Sequence, residues 1–317
     1  MTSKIKIVGI ALDADYLVFS CLQAAEKEED WGDDVWTLTC DHGAAKESLR
    51  NRVEHIQKII EEHYQFEKVD YKIFFVFSDK ANWRLDLLPT YKFNRKKEGI
   101  RKPVGYNDFV ESVMVNPEDF GGDHSTCIEE YEADDTCATM ATNPQAYGCD
   151  EIAVVSVDKD FYTIPNTLFL HLKVDKTPHE LTEITKEDAD YWHLYQGMKG
   201  DITDGYSGIK GVGEQVNGTC IHKWLREPTY FQSYEHTFKS GARKDTTETR
   251  WRTLTAAEVG ASLWECIVSL GAKAGMTEAE VLVNFQMARL LRAGDSQDGW
   301  RPEDTPFVLD VFKTPNE

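Results

Sequence analysis

Apolar and polar positions along the 317-residue chain follow two different periods. Four short, nearly continuous apolar runs have strand length: KIKIVGIAL (4–12), YKIFFVF (71–77), EIAVVSV (151–157) and NTLFLHL (166–172). Rich in β-branched and aromatic residues, they predict buried strands. Elsewhere the spacing is helical. From Gly43, Leu49, Val53, Ile56, Ile60 and Tyr64 recur every three or four residues. YNDFVESVM (106–114), EEYEADDTCATMAT (129–142, stopped by Asn-Pro) and KEDADYWHLYQGM (186–198) also read as helices. EKEEDWGDD (26–34) reads as an acidic loop. Beyond about residue 215 the chain reads as helical, with AAEVGASLWECIVSLGAKAG and TEAEVLVNFQMARLLRAG as closing helices. HTFKSGARKDTTETRWR (236–252) reads as a polar, basic loop.

Apolar strands alternating with helices predict an α/β fold, a mostly parallel central sheet flanked by helices. The expected organisation is a core over 1–185 and a helical region over 186–317, together forming one compact unit. In such sheets ligands gather beyond the carboxyl ends of the strands. Asp13, Asp79, Asp158 and Asp160 each sit just after a predicted strand.

Composition adds limits. A hydrophobic share of 41% and an aromatic share of 11% supply a core and argue against disorder. No apolar run reaches the roughly 18 residues that cross a bilayer. The opening segment, broken by aspartates, does not read as a signal peptide. Seven cysteines without a CxxC pair read as free thiols of a reducing compartment. The expectation is a soluble, cytoplasmic protein with no membrane partner and no zinc site.

The net charge of −20 taken alone argues against a nucleic-acid ligand. Its distribution argues otherwise. Between Lys80 and Lys102 stand Lys80, Arg84, Lys92, Arg95, Lys96, Lys97, Arg101 and Lys102 against Asp86 and Glu98, a local charge of +6. Alone, such a run is most often a solvated loop; its neighbours change that reading.

Those neighbours are acids and glycines. YEADD places Glu132, Asp134 and Asp135 at a predicted helix start, with Glu132 and Asp135 on one face. The helix dipole alone could account for them. SVDKD places Asp158 and Asp160 after a strand, where helix capping is the ordinary explanation. GDITDGYSGIKGVGE (200–214) carries Asp201 and Asp204 ahead of a glycine-rich turn. If Asp13, Asp79, Glu132, Asp134, Asp135, Asp158, Asp160, Asp201 and Asp204 meet in one cleft, they need cations to stay ionised together. Oxygen-only ligands select hard ions, Mg²⁺ or Mn²⁺. Two such ions about 4 Å apart hydrolyse phosphodiesters. Metals between the acids and a phosphate would reconcile the two.

In this order, IALDADYLVF, FVFSDKANWR, LPTYKFNRKK, YEADD, SVDKDF and GDITDGYSGIKGVGE resemble the flap endonuclease/5′→3′ exonuclease superfamily, a PIN-like fold with a helical-hairpin DNA-binding region and C-terminal helices. DYLVF, KKEGIRKPVGY, DKDFYTIPN, YWHLYQGMKGDITDGYSGI and LGAKAGMTE are similar to its T-seven-type members, the short 5′→3′ exonucleases of lytic short-tailed bacteriophages. The likeness spans roughly residues 5–295. Two departures stand out: Asp13-Ala14 where bacterial relatives have Asp-Gly, and Gln215 and Asn217 where the glycine hairpin continues with a lysine and a small residue.

The resemblance implies metal-dependent hydrolysis near a DNA 5′ end, leaving a 5′-phosphate, with flap cleavage and removal of RNA from RNA–DNA hybrids. It implies work in phage replication, recombination and host-DNA breakdown, in the host cytoplasm beside phage replication proteins. Asp135, Asp158 and Asp160 are its leading metal ligands and catalytic acids, then Glu132, Asp134 and Asp13. Asp79, Asp201 and Asp204 act partly through water. Lys92 and Arg95 meet phosphates catalytically, with Lys96 and Lys97 beside them, within an arch or clamp over about 80–105. Tyr91 or Phe93 stacks on a base. Gly211 and Gly213 approach the duplex backbone, and the hairpin holds K⁺. The rival readings are a PIN-type ribonuclease and a non-catalytic DNA-junction binding module.

Overall fold

The computed structural model describes residues 5–93, 101–173, 179–295 and 300–302. The chain divides into two units. The first holds Met1–Asp86, Lys96–Lys186 and Leu290–Gln297; the second holds Leu87–Arg95, Glu187–Arg289 and Asp298–Glu317. Segment 87–95 thus separates from the core sequence around it, and 290–297 returns to the first unit.

In the first unit, β1 (Lys6–Asp13), β4 (Val69–Phe77), β5 (His124–Cys127), β6 (Glu151–Ser156), β7 (Thr167–His171) and β8 (Glu180–Ile184) form one sheet, ordered β5-β4-β1-β6-β7-β8. All neighbours are parallel except β7 and β8. The two intervening strands, β2 (Glu26–Asp30) and β3 (Trp36–Cys40), make a separate antiparallel hairpin. The expected acidic loop is therefore half of a β-hairpin. One strand of its stem is wholly charged and its partner is uncharged, so the charged strand shows none of the apolar alternation that marks a strand.

Along β1, Val8, Ile10 and Leu12 point to one face and join Ile73, Phe75 and Phe77 of β4 and Ala153 and Val155 of β6 in the main core. The helices Ala14–Ala24, His42–His63 and Tyr106–Val115 close that core through Leu17, Leu49, Val53, Ile56, Ile60 and Phe109. Helix Ala133–Thr142 packs against β1 and β6. Because β1 is central and parallel to β4 and β6, the residues following these three strands emerge at one edge of the sheet.

The second unit contains helix Lys186–Lys199, the glycine-rich turn, a two-residue ladder of β9 (Gln215–Val216) with β10 (Thr219–Cys220), and helix Ile221–Arg226. Then comes a long antiparallel ribbon, β11 (Thr229–Thr237) with β12 (Thr247–Thr255). Helices Leu263–Lys273 and Glu278–Met287 follow, each opened by a capping box. The ribbon replaces the loop expected at 236–252. Its Thr, Tyr and Phe content carries strand propensity that outweighs the polar tip. Tyr191, Leu194, Phe231, Ile267 and Phe285 belong to this unit's core.

Among the described residues no helix is long and apolar enough to cross a membrane. All seven cysteines are free thiols.

Candidate active site

Asp13 is the last residue of β1 and is 9% exposed. It takes the N-cap position of the next helix without capping it through its side chain. Its carboxylate accepts instead from Ser156 Oγ, at the end of β6, at 2.7 Å. The same hydroxyl accepts from the Asp158 backbone N–H at 3.1 Å. One buried serine therefore ties the Asp13 carboxylate at the end of β1 to the Asp158 backbone just after β6. Asp158 Oδ1 accepts from the Asp160 N–H at 2.9 Å, capping the short 3₁₀ turn Lys159–Thr163. The capping explanation is correct for the local geometry, and it fixes the orientation of the Asp158 carboxylate.

Asp15 joins this edge, in the first turn of the first helix. It accepts from the Ser78 N–H at 3.0 Å and from the Tyr106 hydroxyl at 3.3 Å. Burial, then the charge of Asp15, pushes the Tyr106 hydroxyl well above its usual range. Asp79 Oδ2 accepts from the Glu130 N–H at 2.9 Å. That bond, followed by those from Lys80 and Ala81, holds the Asp79 carboxyl below the usual aspartate range. The sulfur of Cys137 on helix Ala133–Thr142 is fully buried; burial raises its pKa well above the ordinary thiol value, and Asp13, Asp134, Asp15 and Asp135 raise it further. Four carboxylates thus act on one buried thiol at the sheet edge.

Asp135 is held differently from the other acids. Its side chain is 0% exposed, and both oxygens are occupied. Arg84 grips it with two parallel bonds, Nη1 to Oδ2 at 2.5 Å and Nη2 to Oδ1 at 2.9 Å. Trp83 Nε1 donates to Oδ2 at 3.0 Å, and the Leu291 N–H to Oδ1 at 3.0 Å. An acid enclosed by four N–H donors positions the groups around it in this arrangement. Arg84 Nη1 also reaches Glu132 Oε2 at 3.2 Å, so the arginine joins two of the YEADD acids. Sequence reasoning counted Arg84 in a basic footprint. It is 1% exposed and serves the fold. Arg101 is likewise committed, to Glu26 at the base of the β2–β3 hairpin, at 2.6 and 2.8 Å. Ser156, Trp83 and Asp15 were not predicted as site residues. A strand-terminal serine two residues before an acid was the only signal for Ser156.

In the second unit, Asp201 Oδ1 caps its own turn by accepting from the Thr203 N–H at 2.8 Å. Asp204 is 8% exposed and accepts from the Tyr91 hydroxyl at 3.4 Å, while its carbonyl accepts from the Lys92 N–H at 2.9 Å. Tyr91 is 5% exposed, packed with Tyr206, Met287 and Ala288. This corrects its assignment as a stacking residue, since a buried ring offers no face to a base. Phe93 is 49% exposed and keeps that possibility. Lys92 has a φ of +52°, in the left-handed region, and its ammonium lies 5.0 Å from the Tyr91 ring centroid. Arg95, Lys96 and Lys97 lie outside the described residues.

The glycines divide by task. A Cβ on Gly200 would stand 2.3 Å from the Gly208 nitrogen, and one on Gly208 would stand 2.4 Å from the Gly200 nitrogen. The two backbones cross where no side chain fits. Gly211 and Gly213 have nothing within 4 Å of a Cβ position.

The donor set at the first unit's sheet edge is all oxygen, which suits a hard cation. Among the described residues no three His, Cys, Asp or Glu side chains stand together as a ready metal cage. Asp13 and Asp158 are oriented by their hydrogen bonds, but the acids are not closed around a point.

A family model described as "5'-3' exonuclease, N-terminal resolvase-like domain" matches residues 33–189. The chain is 40% identical over 289 residues to an exodeoxyribonuclease of Enterobacteria phage T3, covering 89% of this chain and 87% of that protein. It is 38% identical over 289 residues to an exonuclease of Escherichia phage T7, covering 89% and 88%. Among solved structures, T5 5'-exonuclease with zinc ions bound aligns over 89% of each chain at 15% identity, with a TM-score of 0.49. The acid-edged α/β sheet is that of a nuclease. The chain belongs to the 5′-3′ exonuclease family.

Proposed function

We propose that the protein is a metal-dependent 5′→3′ exodeoxyribonuclease that shortens duplex DNA from its 5′ ends, cleaves 5′ flaps and removes RNA from RNA–DNA hybrids. The observation that carries this reading is the Asp13–Ser156–Asp158 relay, which joins the Asp13 carboxylate ending β1 to the backbone of Asp158 just after β6. Asp13, Glu132, Asp134, Asp158 and Asp160 would hold two Mg²⁺ or Mn²⁺ ions, with Asp79 beside them. Such ions supply an activated water and charge neutralisation at the attacked phosphate.

The chain's own residues do the rest. Ser156 fixes the Asp13 carboxylate, and the Asp160 N–H fixes that of Asp158, so neither must reorganise on binding. Asp135, through Arg84, sets where Glu132 stands. Lys92 would meet a substrate phosphate as a point charge, with Arg95 as a fork for its neighbour and Lys96 and Lys97 beside them. Phe93 would stack on a base. Asp201 and Asp204 order the glycine turn, whose Gly211 and Gly213 amides would meet the duplex backbone and whose carbonyls would hold K⁺. The biological setting is phage replication, recombination and host-DNA breakdown in the host cytoplasm, alongside phage replication proteins.

Three 3′-labelled substrates test the specificity: a duplex with a recessed 5′ end, a 5′ flap and an RNA–DNA hybrid. Stepwise shortening of the duplex and hybrid with a junction cut on the flap is expected. A cut at the flap junction alone would replace the exonuclease reading with an endonuclease.

A further inference from the structure

The β11–β12 ribbon is not used by the chemistry above. Its two nine-residue strands extend about 30 Å at the usual rise per residue. Their register separates two faces. Phe231, opposite Thr253, turns inward, and Phe231 and Trp251 pack with the unit's core. Gln232 pairs with Arg252, Tyr234 with Arg250 and His236 with Glu248 on the other face. The Gln232 side chain accepts from Arg252 Nε at 2.9 Å, confirming that shared face. At the tip, Arg243 lies 4.1 Å from the Phe238 ring centroid and Arg250 5.3 Å from it. Both arginines share one carboxylate, Glu248, at 3.1 and 2.7 Å, so the cluster keeps a net positive charge. From Lys239 to Arg252 five Lys/Arg face only Asp245 and Glu248, in a chain of net charge −20.

We propose that this outer face is a second contact surface for duplex DNA, built from residues other than those of the acid edge and the glycine turn. Guanidinium forks held flat by an aromatic ring and a carboxylate match phosphate oxygens. A two-stranded ribbon fits a major groove about 12 Å wide. Its length approaches one turn of the duplex, about 34 Å. Tyr234, 41% exposed between the arginines, adds an apolar contact without sequence demand. The proposal rests on the reading of DNA as substrate and deepens it: the ribbon would hold the duplex, raising affinity for long substrates without changing the cut.

The test compares wild type with the combined Arg243→Ser, Lys244→Ser and Arg252→Ser variant, all exposed positions. Binding to 12- and 30-base-pair duplexes is measured in EDTA by fluorescence anisotropy across a salt series. Cleavage of the short duplex is measured with Mg²⁺. The variant is expected to bind the long duplex at least about tenfold more weakly, with a log–log salt slope less negative by about 2 to 3, one unit per lost phosphate contact. Its turnover on the short duplex should match wild type, and Arg252→Lys should restore most of that position's share of the slope. Unchanged long-duplex affinity and slope in a folded variant would overturn the proposal. A wild type that shows the ribbon-dependent slope yet cuts nothing removes the nuclease reading and leaves the ribbon; cleavage with an unaltered slope does the reverse.

Discussion

Arg84 and Asp135 form a two-bond ion pair at 1% and 0% exposure, fork against carboxylate. The pair joins the residues after β4 to the start of helix Ala133–Thr142, and it sets the position of Glu132. Breaking it leaves a buried charge with half its partners. Asp135→Asn should cost about 3–5 kcal/mol of stability. Arg84→Met added to Asp135→Asn should recover part of that loss, since the buried Arg84–Asp135 charges are then gone while Glu132 loses its bond to Arg84. Thermal unfolding in EDTA reads both. A fully stable Asp135→Asn that loses only metal affinity would return Asp135 to the ligand set.

Asp158→Asn separates chemistry from folding. Asparagine caps a turn about as well as aspartate, so the Asp160 N–H keeps its acceptor and stability should change by less than about 0.5 kcal/mol. Cleavage should fall by about a hundredfold or more, through loss of the carboxylate charge. Circular dichroism and single-turnover kinetics check the two halves.

Lys92 holds a left-handed backbone that costs a non-glycine residue about 1 kcal/mol. Lys92→Gly should therefore stabilise the protein by up to about 1 kcal/mol, while Lys92→Ala stays near neutral. Both should lower kcat more than they raise KM. An effect confined to KM would move Lys92 from transition-state contact to ground-state binding.

Acid stability should depend on Asp79. Its folded pKa lies below its ordinary 3.8, mainly because the Glu130 N–H donates to the carboxylate. A depressed carboxyl pKa stabilises the folded state above the unfolded value, and that contribution is lost as pH falls through the folded value. The window is below about pH 4. Asp79→Asn should be less stable than wild type at pH 6, with the gap narrowing below pH 4 in metal-free urea titrations. A gap constant across that range would mean Asp79 contributes nothing through ionisation.

The parts of the fold carried by apolar period were legible. Leu49, Val53, Ile56 and Ile60 all turn inward on one helix, and the four apolar runs are strands of one sheet. Sequences whose charge concealed their period were not. Glu26–Asp30 and Thr247–Thr255 are strands because they pair across hairpins, a nonlocal fact that composition does not show. Site residues were legible as residue types at strand ends, since backbone topology places Asp13 and Asp158 there. Their partners were not: a basic count cannot show that Arg84 lies buried against Asp135, nor a tyrosine in a basic segment that its ring is core.

The central claim concerns the acids at the sheet edge, and one assay meets it directly. A 3′-labelled duplex with a recessed 5′ end is incubated with Mg²⁺, with EDTA, and with Mg²⁺ and Asp158→Asn. The account predicts stepwise shortening from the 5′ end in the first reaction and intact duplex in the other two. Duplex that is bound but uncut by the wild type in Mg²⁺ and in Mn²⁺, or shortening that continues in EDTA, would contradict it.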